Sequence, residues 1–505
     1  MAVFKAAAIF SDNMVLQREK NICVFGQGEN NKIVQITFCG KTYDTKVKDE
    51  KWSVLIPPMK AGTGYDLILS CEMQTKQFKN IAIGEVWLAG GQSNMEYELQ
   101  NCTGGQDMLE NDQNPNVRYF YSNKMAYMDE TFYEKEEETC WTEFSKENAK
   151  QWSAVGYLCA KKMAKELNVV VGIIGCNWGG TSATCWIGQK AIQEDAQLNT
   201  YWDEYYKESE KKPVEQQIRE YKEYEIYHAK WDKKCTKLYE ENPDIEWEEV
   251  QNILGQCQWP GPKSCMSPFR PSGLYNTMLS RLAPYTLRGF LYYQGEEDDK
   301  KPHMYQKLLT RLIKQWREDW EDQTLPFLIV QLPMHRYKQD QDLKNWCLIR
   351  EAQMNTYQTV KNTGIAVILD CGEFNEIHPK NKKPVGERLA LQALYHVYDK
   401  KKEKEAYGPI YLSYEIKDKG IEVSFDYSQD GFEVKSEASE FEIADENGIY
   451  YPAEYEIKDS KIFVFSDQVK NPSAVRYCWT NYGEVPIFGK NTLPLAPFRT
   501  IQKNE

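Results

Sequence analysis

Four apolar stretches, each ending in the same kind of loop, constrain this chain more than any other feature. Val86-Trp87-Leu88-Ala89 runs into Gly90-Gly91-Gln92-Ser93, and residues 169–175 run into Asn177-Trp178-Gly179-Gly180-Thr181. Residues 287–293 run into Gln294-Gly295-Glu296, and residues 364–370 into a loop that holds His378 and Pro379. Short apolar runs closed by glycine turns are the pattern of strands buried on both faces. Helical periods separate them: Leu308, Leu312, Trp316 and Trp320 recur every fourth residue, which is one apolar stripe of an amphipathic helix. Strands alternating with helices predict an α/β fold around a parallel sheet. The carboxyl ends of parallel strands share one edge, where ligands bind. The four loops are therefore expected to converge.

The flanking regions read differently. Over residues 1–82, Val34, Ile36 and Phe38 alternate with polar residues, Trp52, Val54 and Ile56 follow, and "GQGENN" and "AGTG" mark turns. This predicts a small all-β domain. Residues 83–404 carry the α/β pattern, interrupted over about 195–260 by a charged, aromatic stretch of helical period, read as an inserted helical hairpin whose aromatics pack it onto the core or, as the second reading, line a sugar site. Residues 405–505 return to alternation at Ile421, Val423 and Phe425, with "SQDG" and "DENG" turns, and predict a β-sandwich-like domain.

Composition narrows the partners. A formal net charge of -13 and a pI near 5.2 exclude a polyanionic partner of the nucleic-acid kind. No apolar run approaches the roughly 20 residues of a membrane helix, so no membrane partner is expected. The beginning of the chain has neither a long apolar region nor a clear cleavage site. That reading places the protein in the cytoplasm, or outside it if a leader has been removed. The 14 cysteines contain no C-x-x-C pair, and the closest two, Cys257 and Cys265, are eight apart. A structural zinc site is not expected, and buried free thiols are the preferred reading.

The loop residues suit acyl transfer. A serine must lose its proton to a base, most often histidine. Of five histidines, His228, His303, His335 and His396 fall in the insertion, a charged run or other segments, and only His378 follows a predicted strand end. Backbone N–H groups at glycines and a side-chain amide such as that of Gln294 can bind a developing oxyanion. Taken singly, Ser93 reads as a helix N-cap, Gly179 and Gly180 as turn glycines and His378 as a loop histidine. Their conjunction at four strand ends makes the case. Met95 stands where a G-x-S-x-G elbow needs glycine, which disfavours the α/β-hydrolase arrangement.

The segments "GGQSNME", "NWGGTSATCWIG", "YYQGEED" and "EIHPKNKKPVGERLAL" resemble the sialate O-acetylesterase family. So do "FSDNMVLQR", "PSGLYNTMLSRLAPYTLRGFLYYQGE", "LPFLIVQL", "LIREAQ" and the ending "NPSAVRYCWTNY…LPLAPFRT". The resemblance spans nearly all of the chain outside the insertion. It implies an SGNH-type, flavodoxin-like three-layer hydrolase domain flanked by two small all-β domains. It further implies a serine esterase that removes acetyl groups from sugars with neither metal nor cofactor. In that frame Ser93 is the nucleophile and His378 the general base, then acid. The oxyanion donors are the Ser93 N–H, a backbone N–H at Gly179 or Gly180, and the Gln294 side chain.

Two departures stand out. The family reads Asp-Ile-His-Pro where this chain has Glu376-Ile377-His378-Pro379. Glu376 is the first choice for the third triad member, with Glu296 or a backbone carbonyl as alternatives. The run Glu297-Asp298-Asp299 after the Gln-Gly-Glu segment reads as an acidic edge that repels an anionic sugar, so an acetylated neutral oligosaccharide fits as well as sialic acid. Two other readings use the same residues. One is a glycoside hydrolase with Glu296 and Asp370 or Glu376 as its acids. The other is a non-catalytic carbohydrate-binding protein on an esterase scaffold.

Overall fold

The structure is a computed structural model that describes residues 4–242 and 245–500. Met1–Ser122, Glu138–Ala183 and Leu282–Glu505 form one compact unit; Asn123–Glu137 and Thr184–Arg281 form a second.

In the first unit the four apolar stretches are strands of one sheet. Its order is Val117–Tyr121, Val171–Asn177, Gln74–Gly91, Gly289–Tyr293, Phe327–Gln331, Thr363–Val367, all parallel, with Trp141–Glu143 antiparallel at one edge. The fold is thus mixed α/β with additional β structure. Neighbouring residues of a strand face opposite sides, which sorts the helices. Trp316 of helix Pro302–Asp319 packs on Phe290, Tyr292 and Phe327. Gly364, in register with Leu328, meets His396 and Gln392 of helix Lys383–His396 on the other face. Leu308, Leu312, Trp316 and Trp320 of the predicted stripe are all buried.

The boundary read at 82/83 falls inside a single strand. Gln74–Gly91 pairs with Gly62–Cys71 of the N-terminal region in its first half and with the parallel sheet in its second. A strand can do this because one continuous extended backbone can pair with different neighbours along its two halves. The C-terminal region folds as a seven-stranded sheet. Its core residues Ile421, Val423 and Phe425 join one apolar cluster with Met334, Ile365 and Val367 of the α/β part. The fourteen cysteines are free thiols.

The second unit contains helices Asn199–Ser209, Val214–Glu241 and Trp247–Leu254. It is wider than the insertion read over 195–260. Its flanks are held within it by a two-pronged ion pair, Arg281 Nε and Nη2 donating to Glu136 at 2.7 and 2.6 Å. Tyr221 and Tyr224 are buried, whereas Trp247 and Trp259 are half-exposed.

Candidate active site

The Ser93 turn is built from its glycines. Gly91 lies at φ +136°, where side chains are strongly disfavoured, and a Cβ there would stand 2.0 Å from the Tyr293 carbonyl oxygen. A Cβ on Gly90 would meet the Trp316 ring at 2.7 Å. Gln92 is extended and caps the four-residue helical turn Ser93–Glu96, its carbonyl accepting the Met95 and Glu96 amides at 2.9 Å each. Ser93 is therefore the first helical residue and not the cap. Among the described residues no protein acceptor meets its N–H. The strands before and after this one in the sheet belong to connections that leave in both directions, so its carboxyl end is the switch point where α/β sheets bind ligands.

His378 reaches this turn from a loop 285 residues away, its Nε2 standing 2.8 Å from Ser93 Oγ. Burial, first, holds its pKa below the ordinary value; the Lys382 cation and His335 push the same way, against Glu376 and Glu96. A neutral imidazole facing a hydroxyl at hydrogen-bond distance is the geometry of a general base.

The predicted third member is placed differently. Glu376 Oε1 accepts the backbone N–H of His378 at 2.7 Å and stands 3.9 Å from Nδ1, which is ion-pair range and not a hydrogen bond. The loop doubles back so tightly that the carboxylate two residues earlier meets the main chain before the ring. Glu296, the alternative, is buried behind the Ser93 turn, accepting from Asn94 Nδ2 at 2.6 Å. No hydrogen-bond acceptor for His378 Nδ1 is found among the described residues. Asp370, proposed as an acid for glycoside hydrolysis, is paired with Arg388 at 2.8 Å.

The expected oxyanion donors divide. Gly179 lies against the serine, since a Cβ on it would be 3.3 Å from Ser93 Cβ, but its N–H donates to Glu96 Oε2 at 2.5 Å. Gly180 is left-handed at φ +69° and its N–H has no protein acceptor among the described residues. Gln294 is engaged behind the turn. Its side chain is fully buried, and its Nε2 donates to Asp298 Oδ2 at 2.6 Å, Gln92 Oε1 at 3.1 Å and the Thr181 carbonyl at 3.2 Å. An amide has two N–H groups, and both are committed. The cause is Asp298, a buried carboxylate that needs donors; it also takes Ser182 Oγ at 2.7 Å and the Ala183 N–H at 2.9 Å. Burial pushes its pKa up to about 6. The acidic edge is accordingly smaller than the sequence suggests, with Asp298 turned inward and Glu297 paired with Lys300 at 3.1 Å.

Sequence reasoning gave no chemistry to Gln92, Asn94 or Lys382. Gln92 Oε1 accepts from Gln294 and the Glu297 N–H, while Asn94 bonds Glu296, the Ile377 carbonyl and Lys382. Adjacency of Gln92 and Asn94 to Ser93 was the available signal; Lys382, one of three lysines within 380–383, offered none. Among the described residues no group of three or more His, Cys, Asp or Glu is arranged to hold a metal ion, and no helix is long and apolar enough to cross a membrane.

Comparison with known proteins relates the chain to carbohydrate esterases. Residues 258–394 match the family model for the carbohydrate esterase, sialic acid-specific acetylesterase. The chain is 24% identical to the sialate O-acetylesterase of Mus musculus, over 98% of this chain and 94% of the relative. For the Homo sapiens protein of that name the identity is 23%, over 98% and 92%. The crystal structure of a carbohydrate acetylesterase from Xanthomonas citri superposes with a TM-score of 0.77 at 27% identity, covering 99% of this chain and 100% of that one.

Proposed function

We propose that this carboxylic ester hydrolase, related along its length to the sialate O-acetylesterases, removes O-acetyl groups from sugars through an acetyl-enzyme on Ser93. The observation that carries the reading is the 2.8 Å contact between His378 Nε2 and Ser93 Oγ, made across 285 residues of sequence. The α/β part is assigned to the SGNH type, with residues 1–82 and 405–505 as β regions that brace it.

The steps follow from the placement. Ser93 Oγ gives its proton to His378 Nε2 and attacks the acetyl carbonyl. The negative charge passes to the carbonyl oxygen, for which the Ser93 and Gly180 N–H groups are the uncommitted donors. The Gly179 N–H joins them if the ester displaces the Glu96 carboxylate. The imidazolium then protonates the departing sugar oxygen, leaving acetyl on Ser93. Water, deprotonated by the same nitrogen, attacks that ester, and acetate leaves as Ser93 recovers its proton. Gln294 serves by locking Gln92 and Asp298 behind the turn.

Acetate release from acetylated sialic acids, and from acetylated xylo- and manno-oligosaccharides, tests both reaction and substrate. Ser93→Ala is expected to abolish release from whichever ester is used while the fold survives, and acid quenching of the native enzyme is expected to trap an acetylated Ser93 peptide. Unchanged turnover in Ser93→Ala would overturn the reading.

A further inference from the structure

A serine–histidine pair needs its histidine held. No carboxylate hydrogen-bonds Nδ1 here, yet the loop carrying His378 is fastened to the nucleophile's own turn by another route. Asn94, the residue after Ser93, is 1% exposed. Its Nδ2 donates to the carbonyl of Ile377, the residue before His378, at 3.0 Å, and to Glu296 Oε1 at 2.6 Å. Its Oδ1 accepts from Lys382 Nζ. Lys382 is likewise 1% exposed, sits 4.6 Å above the Tyr97 ring, and begins helix Lys383–His396, its carbonyl accepting the Gly386 N–H at 3.0 Å. The helix start, the histidine loop and the serine turn thus meet at one amide.

Resting on the reading of Ser93 and His378 as nucleophile and base, we propose that Asn94 and Lys382 are the positioning residues of the histidine. They take the place of a carboxylate on Nδ1.

An imidazole with no partner on Nδ1 depends on its loop for placement, and a misplacement of about 1 Å costs up to about 100-fold in rate. Asn94 fixes that loop by holding the carbonyl next to the histidine relative to Ser93. Burying an ammonium is costly unless it is paired and hydrogen-bonded. The groups facing Lys382 are the carboxylates of Glu296 and Glu376, the thiols of Cys102 and Cys371, the Tyr97 ring and His378. Burial brings its own pKa down to about 8, so it is mostly cationic at neutral pH. After burial, that cation is the largest influence lowering the pKa of His378. The same residue that holds Asn94 therefore also keeps the base unprotonated.

The test compares Asn94→Ala, Lys382→Met and Lys382→Arg with Ser93→Ala, reading kcat, KM and the acidic limb of kcat/KM against pH. Asn94→Ala is expected to lower kcat by about 10- to 100-fold with KM little changed. Lys382→Met is expected to move the acidic limb to higher pH, because a cation opposing imidazolium is gone, and Lys382→Arg to restore it. A folded Asn94→Ala enzyme with native kcat, or a Lys382→Met limb that does not move, overturns the proposal. Should Lys382→Met fail to fold, Lys382→Gln, which keeps a donor for Asn94 without the charge, gives the same comparison. Activity surviving in Ser93→Ala refutes instead the reading on which the proposal rests.

Discussion

At the scale of residues, the issue is what stands behind His378. In a Ser-His-Asp triad, neutralising the acid costs about 10,000-fold because the carboxylate fixes the imidazole tautomer through Nδ1. Here Glu376 bonds the main-chain N–H of His378 and faces Nδ1 only at 3.9 Å. Glu376→Gln keeps an oxygen for that N–H and loses only the charge. Its kcat is expected to fall by less than about 10-fold, an exposed ion pair being weak. The charge leaves a signature in pH. In the proposed mechanism His378 acts as base when neutral, so kcat/KM should rise as pH passes upward through its pKa. Glu376 raises that pKa, so Glu376→Gln should move the acidic limb to lower pH, opposite in sign to Lys382→Met. A steady-state profile of both variants checks the pair, and a 10,000-fold loss in Glu376→Gln would place its carboxylate on Nδ1 during turnover.

At the scale of elements, the strand ends were legible and their internal wiring was not. An apolar run, two glycines and a serine announce a strand that must stop and turn, and residues 84–93 do so because the backbone at Gly91 admits no side chain. Gly91→Ala tests this directly. A Cβ 2.0 Å from the Tyr293 carbonyl, at φ +136°, forces apart two paired strands. A loss of more than about 3 kcal/mol in denaturant unfolding is expected, beyond the usual range for single substitutions. Gln294 shows the limit of the sequence. A glutamine after a strand reads as a free donor, and only the fold reveals that residue 298, four positions on, turns inward and claims its amide. Asn94 and Lys382 are 288 residues apart, and neither helical period nor strand alternation carries information over that separation. The boundary read at 82/83 falls inside a strand for a related reason. Composition changes there, from polar alternation to continuous apolar burial, because the strand gains a second covered face, not because the strand ends.

At the scale of the whole molecule, one buried carboxylate ties the N-terminal β region to the sheet that carries Ser93. Glu85 is fully buried within strand Gln74–Gly91. It accepts from Arg18 Nε at 2.5 Å, Gln17 Nε2 at 3.0 Å and Arg288 Nε at 2.7 Å. Residues 17 and 18 lie in the first β region, whereas Arg288 leads into strand Gly289–Tyr293. Burial alone would raise the Glu85 pKa, yet the hydrogen bonds of Arg288, Arg18 and Gln17 overcome it and the net shift is downward. Removing one partner from such a network strands the others, at a cost of about 3–5 kcal/mol. Glu85→Ala should therefore destabilise this unit by about that much at pH 7, with the N-terminal region loosening first in hydrogen exchange. The sign of the pH dependence follows from the shift. A carboxylate whose folded pKa is depressed contributes stability that is full above its unfolded value and is lost as pH falls through the folded one. The stability gap between native protein and Glu85→Ala, measured by denaturant unfolding at steps from pH 7 downward, is expected to hold constant to about pH 4.5 and to narrow below it. A gap unchanged at lower pH would mean that packing, and not the two arginines, joins the N-terminal strands to the sheet that carries Ser93.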